Sequence, residues 1–209
     1  MSDSLASLVA AVSNGDVETA RDLLDAEPAL ARQQRGGASP LHYAAIHGHQ
    51  NAVDLLIDRG ADLEDLDTEY GAAPIGWANE KGHMGLVRHL RARGTKVNLH
   101  MAAAFGFDDD VESLATAHPD HVNLLHGYGT PLHLAALWGN ATVIERLLAH
   151  GADPSCRNQD GELAVTIAHR QATSDACQTP MVTPERRAEI VAGCQRCADL
   201  LRPVTAEPL

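Results

Sequence analysis

A short motif recurs along this chain at a spacing that favours a stack of repeated units over any other fold. PLHYAAIHG (residues 40–48) and PLHLAALWG (131–139) are near copies, and PIGWANEKG (74–82) and NLHMAAAFG (98–106) are weaker ones. The step is 34 residues from His42 to Gly76, 24 from Gly76 to His100 and 33 from His100 to His133. A period of this size predicts units that bury a continuous core only by packing against one another.

Each copy contains the patterns of two helices. An Ala-rich segment comes first, and an amphipathic segment such as VIERLLAHG follows it. Pro40 and Pro131 stand where the first helix begins, a position at which the missing proline N–H costs nothing. Gly60 and Gly151 stand where the second helix ends and a left-handed residue is needed. The sequence therefore predicts a series of helix-turn-helix units.

The two full copies resemble the ankyrin repeat. They are SPLHYAAIHGHQNAVDLLIDRGADLE (residues 39–64) and TPLHLAALWGNATVIERLLAHGADP (130–154), and with the weaker copies the resemblance covers about nine-tenths of the chain. It implies an all-α ankyrin-repeat solenoid of about five to six repeats. It also implies that each repeat ends in a hairpin-like finger, and that His42, His100 and His133 tie one repeat's loop to the next.

The resemblance predicts a single ankyrin-repeat domain over residues 1–209. Its parts are a degenerate N-terminal repeat (4–36), three repeats of which the last is shortened (37–68, 69–98, 99–126), a full repeat (127–157), and a last repeat (158–202) that contains a loop insertion (172–183) and a closing helix.

One finger is missing from this pattern. Asn98 already completes a repeat and Leu99 already begins the next first helix, which accounts for the short step of 24 residues. A gap in the row of fingers favours a pocket or portal, whereas a continuous row suits a protein partner draped along it. Neutral decay of the repeat is an equally weighted explanation.

Composition limits the class of partner. The chain has 209 residues, a hydrophobic content of 44% and a formal net charge of −12. That charge repels phosphate backbones and anionic lipid, so we expect no nucleic acid and no membrane partner, and favour cationic ones. Because the N-terminus has no signal-like pattern and the four cysteines do not form a disulfide framework, we expect a cytoplasmic monomer.

Aromatic residues are few, and their positions are informative. Of seven, four fall where the resemblance places groove-facing residues of the first helices: Tyr43, Trp77, Phe105 and Trp138. Tyr70 and Tyr128 fall at finger tips. Exposed aromatic clusters usually mark binding sites. The alternative is that the two tryptophans fill gaps between helices.

Acidic residues accompany the aromatic ones. The finger that reads EDLDTEY supplies Asp65, Asp67 and Glu69, and Asp160 lies on the last finger. Carboxylates beside aromatic faces favour a guanidinium or ammonium guest. With Arg170 at a groove position of the last repeat, these residues complete the predicted ligand-binding set. The alternative is a solvated acidic face.

Other candidate chemistry is weak. Of twelve histidines, His47 is a candidate proton-transfer group because we expect it near Glu80. Cys194 and Cys197 form a single CxxC, which we interpret as two buried reduced thiols, and we expect no metal. No cofactor motif is present, so we expect no cofactor. Residues 172–183 read as a loop that could act as a lid.

Two functions remain open. The first is a recognition protein whose acidic, aromatic groove binds a cationic ligand, either a basic protein segment or a guanidino or amino metabolite. The second is an enzyme on an ankyrin scaffold that acts on a cationic amino acid, for example an arginine cyclase. In it His47 would move a proton while acids including Glu80 held the guanidinium. Fold-level analogy does not decide between them.

Overall fold

In a computed structural model, which describes residues 3–173 and 184–205, the chain forms paired helices joined by loops. The described residues contain twelve α-helices: α1 (Ser4–Asn14), α2 (Val17–Ala26), α3 (Pro40–Ile46), α4 (Gln50–Asp58), α5 (Pro74–Glu80), α6 (Met84–Ala92), α7 (Leu99–Phe105), α8 (Asp108–Ala117), α9 (Pro131–Trp138), α10 (Ala141–Ala149), α11 (Ala164–Ala172) and α12 (Pro184–Thr205). Two 3₁₀ turns cover Pro28–Arg32 and Pro119–His121. The predicted all-α class and its helix-turn-helix repeats are confirmed.

Local sequence signals account for the ends of the helices. Pro40 and Pro131 occupy the first turn of α3 and α9, each behind a Ser39 or Thr130 cap that forms a reciprocal capping box with the motif histidine. Gly60 and Gly151 follow α4 and α10 with φ of 84° and 83°. A Cβ at this φ would crowd the backbone, so glycine is favoured at both positions.

The loops after the second helices are of two kinds. We call residues 33–39, 59–73, 118–130 and 150–163 the first, second, third and fourth fingers. Between α6 and α7 only residues 93–98 intervene, and they form no finger. The predicted missing finger is therefore confirmed.

The chain divides into two compact units, and the division falls at this missing finger. The N-terminal unit ends at Lys96 and the C-terminal unit begins at Val97. Leucines and alanines fill the interior of each unit. The largest fully buried side chains are Leu8, Leu24, Leu30, Leu41, Leu56, Ile75 and Leu90 in the first unit and Leu132, Ile144, Leu147, Ile190 and Leu201 in the second.

The motif histidines fasten the fingers. His42 and His133 each accept the N–H of their capping residue at Nδ1 (3.2 Å), so Nε2 carries the proton. That Nε2–H donates to a carbonyl of the following finger, Ala72 O for His42 and Glu162 O for His133, both at 3.0 Å. His100 pairs likewise with Leu124 O at 2.8 Å. The tie predicted from the family resemblance is thus present in all three repeats.

Three repeats lack the motif histidine, and the structure shows a reason in two of them; the third is the N-terminal repeat, whose helix α1 contains no histidine. Gly76 belongs to the repeat that is followed by residues 93–98, where no finger carbonyl is available. Thr166 belongs to the last repeat, and its side chain is exposed. The second helix of that repeat, α12, is the last described element, so no described finger follows it. Each motif histidine therefore belongs to a repeat that is followed by a finger, whereas the N-terminal repeat is followed by the first finger without a histidine in α1.

The last helix covers the end of the C-terminal unit. α12 packs against α9, α10 and α11, and it buries Cys194 and Cys197. The Cys194 thiol donates to Ala136 O at 3.2 Å, and burial raises the pKa of Cys197 to about 12. A thiol with so high a pKa stays protonated near neutral pH. The two cysteines therefore act as small buried side chains.

Candidate recognition surfaces

In the N-terminal unit, the predicted aromatic positions lie together. The rings of Tyr43 on α3 and Trp77 on α5 are 5.8 Å apart in an edge-to-face arrangement, and both are partly exposed. The Tyr43 hydroxyl donates to Arg35 O of the first finger at 2.8 Å. The other side of Trp77 meets the His42 ring at 5.2 Å. Each ring therefore helps to position the fingers as well as forming part of the surface.

Asp67, which the sequence analysis predicted to bind a guanidinium, has a structural role instead. It is 4% exposed, and its carboxylate accepts hydrogen bonds from the backbone N–H groups of Glu69 (2.9 Å), Tyr70 (2.6 Å) and Ala72 (3.0 Å). The Trp77 indole N–H donates a fourth bond to it at 3.0 Å. These bonds lower the pKa of Asp67 against the opposing effect of desolvation. Because four donors use its acceptor capacity, Asp67 folds the second finger and is removed from the binding set.

Two of the other acids of this unit, one on the second finger and one at the end of α5, act on the exposed Tyr70. We define the acidic patch as Glu69, Tyr70 and Glu80. Tyr70 is 73% exposed, and the pKa of its hydroxyl is raised by a hydrogen bond to Glu69 and by the negative charges of Glu69 and Glu80. An exposed ring with carboxylates close to its hydroxyl can attract a cation from solvent.

Two other acids of the second finger are bound within the fold. Glu64 accepts the backbone N–H of Lys96 at 2.8 Å. Asp65 accepts from the Gln34 amide at 3.0 Å through Oδ1, while its Oδ2 is buried without a hydrogen-bond partner in the described part of the chain. Asp65 is thus directed toward the first finger, and we leave it out of the acidic patch.

His47 and Glu80, predicted as a proton-transfer pair, have different neighbours. His47 is exposed at the end of α3, where its ring stacks on His49 at 6.2 Å. Its pKa is lowered by desolvation and by the nearby His49, His83 and Lys81. Glu80 acts on Tyr70 instead. Among the described residues, the charged groups that act on His47 are cationic or imidazole side chains and not a carboxylate that could orient it as a base, so they do not support the enzyme hypothesis.

In the C-terminal unit, two of the predicted groove residues contribute to packing. Phe105 is 8% exposed and meets Phe107 edge to face at 5.7 Å, so its prediction as an exposed groove residue is wrong. Trp138 is partly buried against Ile190 and Cys194 of α12. The repeat pattern alone predicts that this surface of α9 faces the groove, so the sequence analysis placed Trp138 there. In the structure the long helix α12 covers that surface.

The other predicted residues of this unit are exposed but not gathered into one site. Tyr128 is 81% exposed at the tip of the third finger. Asp160 is exposed on the fourth finger, and Arg170 pairs with Glu162 at 2.6 Å. The proposed lid falls largely on residues 174–183, which lie outside the described residues.

Sequence reasoning predicted Tyr70 and Tyr128 on the fingers but missed the exposed leucines beside them. Every exposed large hydrophobic residue in the described ranges lies on the second or third finger: Leu66 and Tyr70 on the second, and Leu124, Leu125 and Tyr128 on the third. A signal was present, since NLLHGYG places three large apolar side chains in a loop. Exposed apolar residues in loops are common in protein interaction surfaces.

Comparisons with known proteins agree with this architecture. A family model described as "Ankyrin repeats (3 copies)" matches residues 8–99, and one described as "Ankyrin repeats (many copies)" matches residues 114–168. This chain belongs to the ankyrin repeat family. As an ankyrin-repeat protein it is a protein-binding scaffold.

Similar proteins include longer enzymes. A probable E3 ubiquitin-protein ligase of Oryza sativa subsp. japonica, XBOS32, is 33% identical over 144 residues, which cover 68% of this chain and 24% of the relative. The human palmitoyltransferase ZDHHC17 is 27% identical over 208 residues, covering 78% of this chain and 33% of the relative. The ankyrin chain thus spans about a quarter to a third of the length of these curated relatives.

Solved structures give the same fold. The crystal structure of the human ASB11 ankyrin repeat domain matches with a TM-score of 0.58 and 25% identity, over 97% of this chain and 84% of that one. Among residues 3–173 and 184–205, none of the helices combines the length and apolar character needed to cross a membrane.

Proposed function

We propose that this ankyrin-repeat protein recognises a cationic segment of a protein partner through the acidic patch. The observation that supports this most directly is the Tyr70 ring, which is 73% exposed and lies where the charges of Glu69 and Glu80 raise the pKa of its hydroxyl. An arginine or lysine side chain of the partner would lie over this ring. Tyr43 and Trp77, both partly exposed, would extend the apolar contact.

The expected energies indicate a modest affinity per side chain. A cation over an exposed aromatic ring gains about 0.5–1 kcal/mol. Ion pairs with exposed carboxylates add at most about 1 kcal/mol each and weaken with salt. The net charge of −12 steers cationic partners toward the chain before contact. Useful affinity therefore requires a segment with several contacts, which favours a protein partner over a free metabolite.

The relatives suggest a setting for this recognition. The names of two of them describe ubiquitin-protein ligation and palmitoyl transfer, and both proteins are longer than this chain. We expect the ankyrin chain to contribute selection of a partner rather than chemistry of its own.

A peptide-binding experiment tests the proposal. A fluorescent peptide with two central arginines is titrated with the protein, in parallel with the same peptide carrying neutral citrulline. We expect the arginine peptide to bind more tightly, and Tyr70→Ala or Glu80→Gln to weaken that binding by about 2–5-fold each. Free arginine and agmatine are tested as competitors, and effective competition would indicate a small-molecule site instead.

Tyr128→Ala provides the matched control. Tyr128 is as exposed as Tyr70, but His126 rather than a carboxylate lies close to it in the sequence of its finger. Its removal should leave the affinity unchanged. Equal binding of the arginine and citrulline peptides, or equal losses in Tyr70→Ala and Tyr128→Ala, would rule out an acidic cation site in the second finger.

A further inference from the structure

We propose that the third finger is an acid-responsive element, which is released from α7 when the histidines around it gain charge, while the second and fourth fingers stay in place. The finger carries Leu124, Leu125 and Tyr128 on its exposed surface. Its release would change the surface offered to a protein partner under mildly acidic conditions.

Four histidines are grouped around this finger. His118 and His121 stack with their rings nearly parallel and 5.0 Å apart. His126 meets the ring of His100 edge to face at 5.8 Å. His100 in turn pairs with Leu124 O at 2.8 Å, the bond that fastens the finger to α7. The neutral rings can pack at these distances, whereas charged ones repel each other.

The surroundings of His100 differ from those of the two equivalent histidines. Burial lowers the pKa of all three. The negative charges of Asp65 and Asp67 act in the opposite direction on His42, and that of Glu162 does so on His133. The charged neighbours of His100 are His126 and His121, which lower its pKa further. Protonation of these histidines in acid therefore places positive charges next to the hydrogen bond between His100 and Leu124 O, without a neighbouring carboxylate of the kind that acts on His42 and His133.

Other charged groups near the finger offer little compensation. Asp120 lies 3.7 Å from His121, but its side chain is 80% exposed and therefore well hydrated. His118 is the C-cap residue of α8. From α9, the His133 side chain lies against Gly129 at the base of the finger.

The acidic residues of α8 lie at its other end. Asp108, Asp109 and Asp110 form its first turn, which follows the end of α7, whereas His100 is in the first turn of α7. Glu112 is already paired with Arg146 and His150 of α10. These carboxylates therefore lie at the far end of α8 or pair with α10, and they do not neutralise charge at the hydrogen bond between His100 and Leu124 O.

The start of the third finger is anchored by the Asn123 side chain, which donates to Gly151 O at 3.0 Å and accepts the Asp153 N–H at 2.8 Å, so the part that can open is residues 124–130. Val122 is buried at 1% exposure, but Leu124 and Leu125 are 46% and 49% exposed. Protonated His100 can still donate its Nε2–H, so charge alone does not remove the bond to Leu124 O. Repulsion among the rings favours opening of residues 124–130, where the half-exposed leucines contribute little apolar burial to oppose it.

Hydrogen–deuterium exchange of the full chain at about pH 7.5 and about pH 5.5, corrected for intrinsic exchange rates, tests the proposal across the range where histidine titrates. The probes are the amides bonded within each finger: Leu124, His126 and Gly129 in the third, Asp67 and Gly71 in the second, and Asn158 in the fourth. We expect protection in the third finger to fall about tenfold or more at the lower pH, with much smaller changes in the other two.

A double variant, His121→Gln with His126→Gln, distinguishes repulsion from general acid sensitivity. Both side chains are on the exposed finger and neither forms the tie, so protection at about pH 7.5 should persist while the acid response shrinks. Unchanged protection of the third finger in acid, equal losses in all three fingers, or a full acid response in the double variant would each overturn the proposal.

Discussion

At the scale of single residues, two glycines of the C-terminal unit allow the backbones of α9 and α12 to approach closely. Gly193 of α12 lies against Gly139 at the end of α9, and a Cβ on Gly193 would be 2.1 Å from the Gly139 carbonyl oxygen. We expect Gly193→Ala to destabilise the protein by about 1–3 kcal/mol, because α12 must shift away from α9.

Gly85 supplies the matched comparison for that prediction. It is also a helical glycine, in α6, but a Cβ there meets nothing within 4 Å. Gly85→Ala should stabilise by about 0.5–1 kcal/mol through the lower backbone entropy of alanine in the unfolded state. Chemical denaturation of both variants checks the pair, and a stabilising Gly193→Ala would show that α12 does not depend on this approach.

At the scale of elements, the fingers explain the histidine pattern. The His42 side chain is fully buried and bonds both the Ser39 cap and the second finger. His42→Ala should cost about 2–3 kcal/mol, because it leaves a buried N–H and a carbonyl without their partner. The equivalent Gly76 has no finger to hold, and a Cβ there meets only Ala72 Cβ at 3.5 Å.

Gly76→Ala should therefore change stability in the opposite direction. We expect a gain of about 0.5–1 kcal/mol from helix propensity. Urea denaturation followed by circular dichroism compares the two variants. A large loss in Gly76→Ala would mean that this position has a contact role that the missing finger does not remove.

At the scale of the whole molecule, the motif histidines link stability to pH. The pKa values of His42, His100 and His133 are all lowered, first of all by burial, from the ordinary value of 6.5. Below that value the unfolded chain takes up protons that the folded chain does not. The stabilisation from burying neutral rings is therefore present above about pH 6.5 and is lost as pH falls toward the folded pKa values.

Denaturation at a series of pH values measures this linkage. The free energy of unfolding should decline from about pH 7 to about pH 5, and His133→Gln should reduce the slope. A flat profile over this range would mean that the buried rings titrate as freely as in the unfolded chain.

The sequence by itself determined the elements of this protein. Proline at the start of α3 and α9, glycine after α4 and α10, and the 24-residue step all act within one repeat. They therefore predicted the helices, the family and the missing finger correctly. The same helical periodicity predicted that Cys194 and Cys197 are two buried reduced thiols on one side of α12, and both are buried and free.

Only the tertiary structure decided which side chains are available to a partner. Asp67 and Glu69 are both acids of the same finger in the sequence. In the structure the Asp67 carboxylate accepts hydrogen bonds from three backbone amides and the Trp77 indole, whereas Glu69 remains exposed. Phe105 is buried beside Phe107, and Trp138 is partly buried against Ile190 and Cys194 of α12. Spacing along the chain encodes local backbone structure, whereas burial and hydrogen-bond saturation depend on contacts between distant residues, which this pattern does not contain.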